Sequence, residues 1–134
     1  MDRRDFCGKV GCGAAGLAAF PAVAAVAPPD GQERAEYAFS IDIVEGRDTP
    51  CGAGHKPGDH FRYPEDSGQI CPWLMDSMSG FLRVLEYGGT LFWTYRGTPY
   101  EKEMDPDGVT TEFVRCPDPT ASGIVAKITR TRLS

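Results

Sequence analysis

Five cysteines in a chain of 134 residues constrain this protein more than any other feature of its sequence. A domain of this size buries a modest core and gains a great deal from a cross-link or a bound metal, so each thiol has to be assigned a place. Their number is odd, so pairwise disulfides alone leave one thiol over. The thiols fall into two groups: Cys7 and Cys12 near the start, then Cys51, Cys71 and Cys116.

The first group sits in a segment that reads as an address. Arg3-Arg4-Asp5-Phe6 and Lys9 precede the 18 residues Val10 to Ala27, which carry no charge and consist mostly of Ala, Gly and Val. The segment resembles a twin-arginine export signal. It is short and weakly apolar for a bilayer anchor, so no stable membrane insertion is expected after cleavage. Ala22-Val23-Ala24 and Ala25-Val26-Ala27 both offer small-x-small cleavage triplets. The second puts Pro28 directly after the scissile bond, so cleavage is expected after Ala24, giving a signal over 1–24. Cys7 and Cys12 leave with it. The segment carries Arg3, Arg4 and Lys9 against Asp2 and Asp5, a net +1, so its loss takes the chain from −5 to −6. An acidic product excludes a strong electrostatic footprint for nucleic acid. The expected location is periplasmic or otherwise extracytoplasmic.

Residues 25–36, polar from Pro28 to Glu36 and containing Pro28 and Pro29, are expected as a flexible lead-in to one small domain over 37–134. Within it, Tyr37–Val44 alternates apolar with polar or small residues, as a half-buried strand does. Lys56-Pro57-Gly58-Asp59 has the residues of a type II turn, and a short strand is expected at His60–Tyr63. Cys71-Pro72 opens a helix expected over 72–87, with Gly88-Gly89 as its stop and Leu74, Met78, Phe81, Leu82 and Leu85 on one face. Further strands are expected at Leu91–Tyr95, Thr110–Arg115 and Ile124–Thr129. The fold class is α+β: about five antiparallel strands covered by one main helix.

The three remaining cysteines all lie at element boundaries, beside Gly or Pro residues that fix the direction of the side chain. The order Cys-x-x-Gly-His-Lys-x-Gly-Asp, then Cys-Pro opening the helix, then Cys-Pro-Asp-Pro before the last strand, resembles a family of small, uncharacterised bacterial and archaeal proteins. That resemblance spans roughly Ile43 to Arg130 and implies importance for Cys51, His55, Cys71 and Cys116. It supplies no reaction. This chain adds the export signal and a longer turn over Pro99 to Gly108.

Three chemistries suit these thiols. Cys51, His55, Cys71 and Cys116 have the number and donor types of a Cys3His zinc site, with three residues between Cys51 and His55. The same donors suit an iron–sulfur cluster, and a protein exported already folded would carry its metal with it. Alternatively, two thiols form a structural disulfide, worth roughly 2–4 kcal/mol, and one stays free. In the third reading Cys71 is a reactive thiol of a redox enzyme, favoured by the helix N-terminus and helped by His55 or Lys56. The odd count favours metal, which uses all three. The expected functions are therefore an exported metal-binding protein of structural or electron-transfer role, a binding module or accessory subunit of a larger exported redox enzyme, or a thiol enzyme.

Other residues read more simply. His60 is expected at the surface, Asp105-Pro106-Asp107-Gly108 lacks the closing Glu of a calcium loop and reads as a turn, and Trp93 and Tyr95 read as strand packing. No Ser-His-Asp arrangement and no glycine-rich phosphate loop is present.

Overall fold

The computed structural model describes Arg34–Ser134. The export signal, its cleavage site, Cys7, Cys12 and most of the lead-in lie outside the described residues.

Strand β1 (Tyr37–Glu45) is followed by β2 (His60–Tyr63), helix α1 (Pro72–Glu86), β3 (Val109–Arg115) and β4 (Val125–Arg132). A short 3₁₀ turn, Ser67–Gln69, precedes α1. All strand pairs are antiparallel, in the order β2-β1-β4-β3. Ile41 opposes Ile128 and Ile43 opposes Ala126, while Ala126 also opposes Val114, which lays one apolar row across three strands. This row faces α1, whose buried residues Leu74, Met78, Leu82 and Leu85 recur at helical spacing. Leu74 and Met78 are fully buried, so truncating either to Ala is worth about 2–5 kcal/mol. Among the described residues no helix is long and apolar enough to cross a membrane.

The helix begins and ends for the reasons visible in its sequence. Pro72 occupies the first turn, where a missing N–H costs nothing. At the other end Gly88 takes φ +79°, its N–H bonds Leu85 O and that of Gly89 bonds Val84 O, which closes the last turn. The expected type II turn also forms: Asp59 N–H bonds Lys56 O at 3.1 Å and Gly58 has φ +98°.

The sheet has four strands rather than five, because Leu91–Tyr95 does not form a strand. Its carbonyls are taken by one lysine: Lys102 Nζ donates to Leu91 O at 3.3 Å and Lys102 N to Thr94 O at 3.0 Å. The free edge of β3 is met by another stretch instead, with Thr111 N donating to Glu103 O and a bridge between Met104 and Thr110. Phe92 is left 83% exposed, and Tyr95 adopts a left-handed φ of 51° that no strand residue takes. The alternating apolar residues of this stretch thus form a wrapped loop along a sheet edge.

Candidate functional site

The sheet delivers its chain ends together. Glu45 at the end of β1 and Arg115 at the end of β3 both oppose Val125, the first residue of β4, and β2 enters beside them with His60 opposite Asp42. Cys116 follows β3 directly and its N–H bonds Ile124 O at 2.8 Å. The loop 46–59 returns from β1 to β2 pinned at its base, with Gly58 N donating to Ile43 O and Ile43 N to Asp59 O, each at 2.9 Å. Cys51 stands in this loop, where Gly54, at φ +81°, donates to its carbonyl. A cavity of 310 Å³ lies under the loop, lined by Cys51, His55 and Ile124 among others.

His55 joins the loop to the helix. Its Nε2 accepts the backbone N–H of Cys71 at 2.9 Å, and its ring meets Phe61 edge-on at 5.4 Å between centroids. The Nδ1 lies 3.9 Å from Asp59 Oδ2, and that carboxylate also accepts from Lys56 N. These contacts set the tautomer: with Nε2 accepting, the ring proton sits on Nδ1, facing Asp59. Cys71 is the residue that caps α1, and no side-chain capping bond is made there, so His55 in effect supplies an acceptor for one of the unpaired helix-start amides.

All four residues singled out in the sequence therefore stand at one end of the domain. Cys51, Cys71 and Cys116 are half-buried against the core, and all three are free thiols. The contact made between these positions is the His55–Cys71 hydrogen bond, and it engages the Nε2 lone pair that a metal would need. Among the described residues, no group of three or more His, Cys, Asp or Glu side chains is gathered as a metal's ligands. The donor set has the right chemistry for a soft ion, but a closed tetrahedral Cys3His arrangement is not formed in this geometry. His60 pairs with Asp42 at 2.6 Å on the exposed surface. Asp105 to Gly108 is a turn held by Gly108 N–H on Asp105 O.

Three polar arrangements left little or no trace in the sequence pattern. The Lys102 ammonium and Glu112 carboxylate pair at 2.8 Å, with side chains 0% and 3% exposed. The only sign of this pair was Glu112 on the inward parity of β3, between Thr110 and Val114. Arg130, 1% exposed, donates to Leu85 O, Gly89 O and Thr110 Oγ1 and stacks on Tyr37, closing the C-terminal end of α1 from across the sheet. Its Nε has no partner among the described residues. Finally, the Tyr100 hydroxyl donates to Glu45 Oε2, while Arg115 Nη2 donates to Glu45 Oε1 and to Tyr100 Oη. The Tyr100 hydrogen bond, aided by Arg115, holds Glu45 below the usual carboxylate range, and the same bond pushes Tyr100 above the usual tyrosine value. Elsewhere the Ser122 hydroxyl, with Thr120, lowers Asp118. Burial, followed by the Glu86 charge, raises Tyr63.

No family model, curated protein or solved structure matches the chain. Its function is therefore read from the geometry of the thiol end and the residues around it.

Proposed function

We propose that the domain is a small exported thiol protein that captures one soft metal ion through Cys51, Cys71 and Cys116, zinc in preference to an iron–sulfur centre, in a structural or electron-transfer role. The observation that supports this most is that three unbridged, half-buried thiols at three separate element boundaries pack against the core at one end of the sheet, although their side chains are not gathered as ligands in this geometry. Thiolates are the soft donors such an ion selects, and binding would add folding free energy to a small core. His55 is then a positioning residue, holding the Cys51 loop against the start of α1. With three protein donors the fourth position falls to a group outside this set.

Cobalt(II) titration of the full chain tests this, since thiolate-to-cobalt charge transfer is visible. Absorption saturating at one equivalent, and weakened at least about tenfold by Ser at each cysteine in turn, is the expected result. Absence of charge transfer, or indifference to any one substitution, overturns it.

A second reading rests on the Cys71 side chain, which makes no capping bond at the helix start. In that case Cys71 is the working group of a thiol redox protein, and it alone is alkylated rapidly at neutral pH in metal-free protein. A third, an accessory subunit of a larger exported redox enzyme, draws on Trp73, 53% exposed two residues from Cys71, and predicts copurification of that enzyme.

A further inference from the structure

The face of the sheet turned away from α1 carries its own small cleft, unrelated to the thiols. Val125 is 2% exposed yet lies outside the core cluster under the helix. It is covered instead by the segment that wraps the β3 edge. Tyr95, Tyr100, Phe113, Arg115 and Val125 line a cleft of 170 Å³ there. Tyr100 meets Phe113 edge-on, with centroids 5.6 Å apart, so two walls are rigid aromatic surfaces.

The third aromatic wall is held at a conformational cost. Tyr95 has φ 51°, a left-handed backbone that a bulky residue adopts at roughly 1 kcal/mol or more. The turn after it enforces this geometry: Thr98 donates to Tyr95 O from both N, at 3.2 Å, and Oγ1, at 2.7 Å, and Gly97 N donates to Glu101 Oε2 at 2.9 Å. Asn or Gly at position 95 would relieve the strain, but would also remove the ring from the cleft. An outlier kept where its side chain builds a wall is the pattern of a binding surface.

The rim carries a guanidinium. Arg115 spends Nη2 on Glu45 and Tyr100, whereas Nε and Nη1 make no hydrogen bond to a described residue. Glu45 spends its two carboxylate oxygens on Tyr100 and Arg115, so the uncommitted nitrogens of Arg115 are N–H donors offered at the rim. Open guanidinium donors disfavour an organic cation, for which three aromatic walls would otherwise suit well. They favour a ligand with an apolar ring and one negative group on the rim. Size narrows it further, because a cavity of about 150 Å³ accommodates one benzene ring.

The geometry points to a binding site for a single-ring aryl carboxylate, its ring between Tyr95, Tyr100 and Phe113 over Val125 and its carboxylate on the unspent edge of Arg115. Guanidinium and carboxylate are matched in plane and fork geometry.

The test uses the full chain and three probes of one shape: benzoate, benzyl alcohol and benzylammonium, followed by the amide and aromatic NMR signals of residues 95–100 and 113–115. Benzoate is expected to give saturable shifts centred on Tyr95, Tyr100 and Phe113, with benzyl alcohol and benzylammonium at least about tenfold weaker. Arg115→Gln is expected to lower benzoate affinity at least about tenfold, a clearly larger loss than the one it causes for benzyl alcohol. Because the comparison of probes is made on the native chain, it stands even where Arg115→Gln fails to fold. Equal binding of all three probes, preference for benzylammonium, or no saturation by benzoate overturns the assignment.

Discussion

His55 Nε2 accepts the Cys71 backbone N–H at 2.9 Å, so a loop histidine, not the cysteine's own side chain, provides an acceptor at the start of α1. His55 is buried, and its substitution leaves that amide without a partner. His55→Ala should therefore lower unfolding free energy by about 1–3 kcal/mol, read from the urea midpoint at constant slope. Because the bond also ties the Cys51 loop to the helix, the same variant should alkylate faster at Cys51. Unchanged stability and unchanged alkylation would show that the bond does not hold the loop.

Lys102 and Glu112 pair within the fold, and neither charge has access to water. Removing one partner strands the other, so Lys102→Met or Glu112→Leu alone should cost about 3–5 kcal/mol. The double variant should recover most of that loss, because an apolar pair carries no desolvation penalty. Thermal unfolding of the three variants checks this, and additive losses would contradict it.

Arg130 closes the last turn of α1 from β4 through Leu85 O and Gly89 O. Arg130→Met keeps the stem but leaves Gly89 O without a donor among the described residues, while Leu85 O keeps the Gly88 N–H and Thr110 Oγ1 still donates to Asp105 O, an expected loss of about 1–3 kcal/mol. Arg130→Lys keeps the charge but loses the forked geometry, and should fall between the parent and Arg130→Met. Hydrogen exchange should accelerate first at the C-terminal turn of the helix.

The Glu45–Tyr100–Arg115 cluster makes stability fall at both ends of the pH range. Glu45 titrates below its ordinary value of 4.5, so its contribution is present above that value and fades as pH drops through the lowered one. Tyr100 titrates above its ordinary value of 10.0, so its contribution is complete below that value and fades as pH rises through the raised one. Glu45 and Arg115 are both substantially exposed, so each effect should stay within about 1 kcal/mol. Tyr100→Phe should flatten both limbs of a stability-against-pH curve relative to the parent, and identical curves would show that the cluster contributes nothing to stability.

Local signals in the sequence were enough for much of the fold. The Leu74–Leu85 spacing, Pro72 and Gly88-Gly89 specify α1, and alternation specifies β1, because each depends on residues within a turn or two of one another. Leu91–Tyr95 shows the limit: its alternation is that of a strand, but its carbonyls belong to Lys102, which satisfies them from a separate turn. At the thiol end, the boundary positions of Cys51, Cys71 and Cys116 were legible, and the structure brings them to one end. The role of His55 was not, since a histidine four residues after a cysteine has the same spacing whether its lone pair meets a metal or an amide. Tyr100 with Glu45 and Arg115 had no trace at all, being assembled by a loop crossing the edge of β3.

The central claim is that Cys51, Cys71 and Cys116 share one metal ion, and the native mass of the full chain tests it most directly. Protein should be purified without chelator or reductant, weighed under native conditions, then weighed again after acid and alkylation. The first spectrum should carry the mass of one bound metal ion, and the second should show three alkylated thiols in the processed domain. A metal-free native mass with a disulfide between two of the three cysteines would contradict the claim.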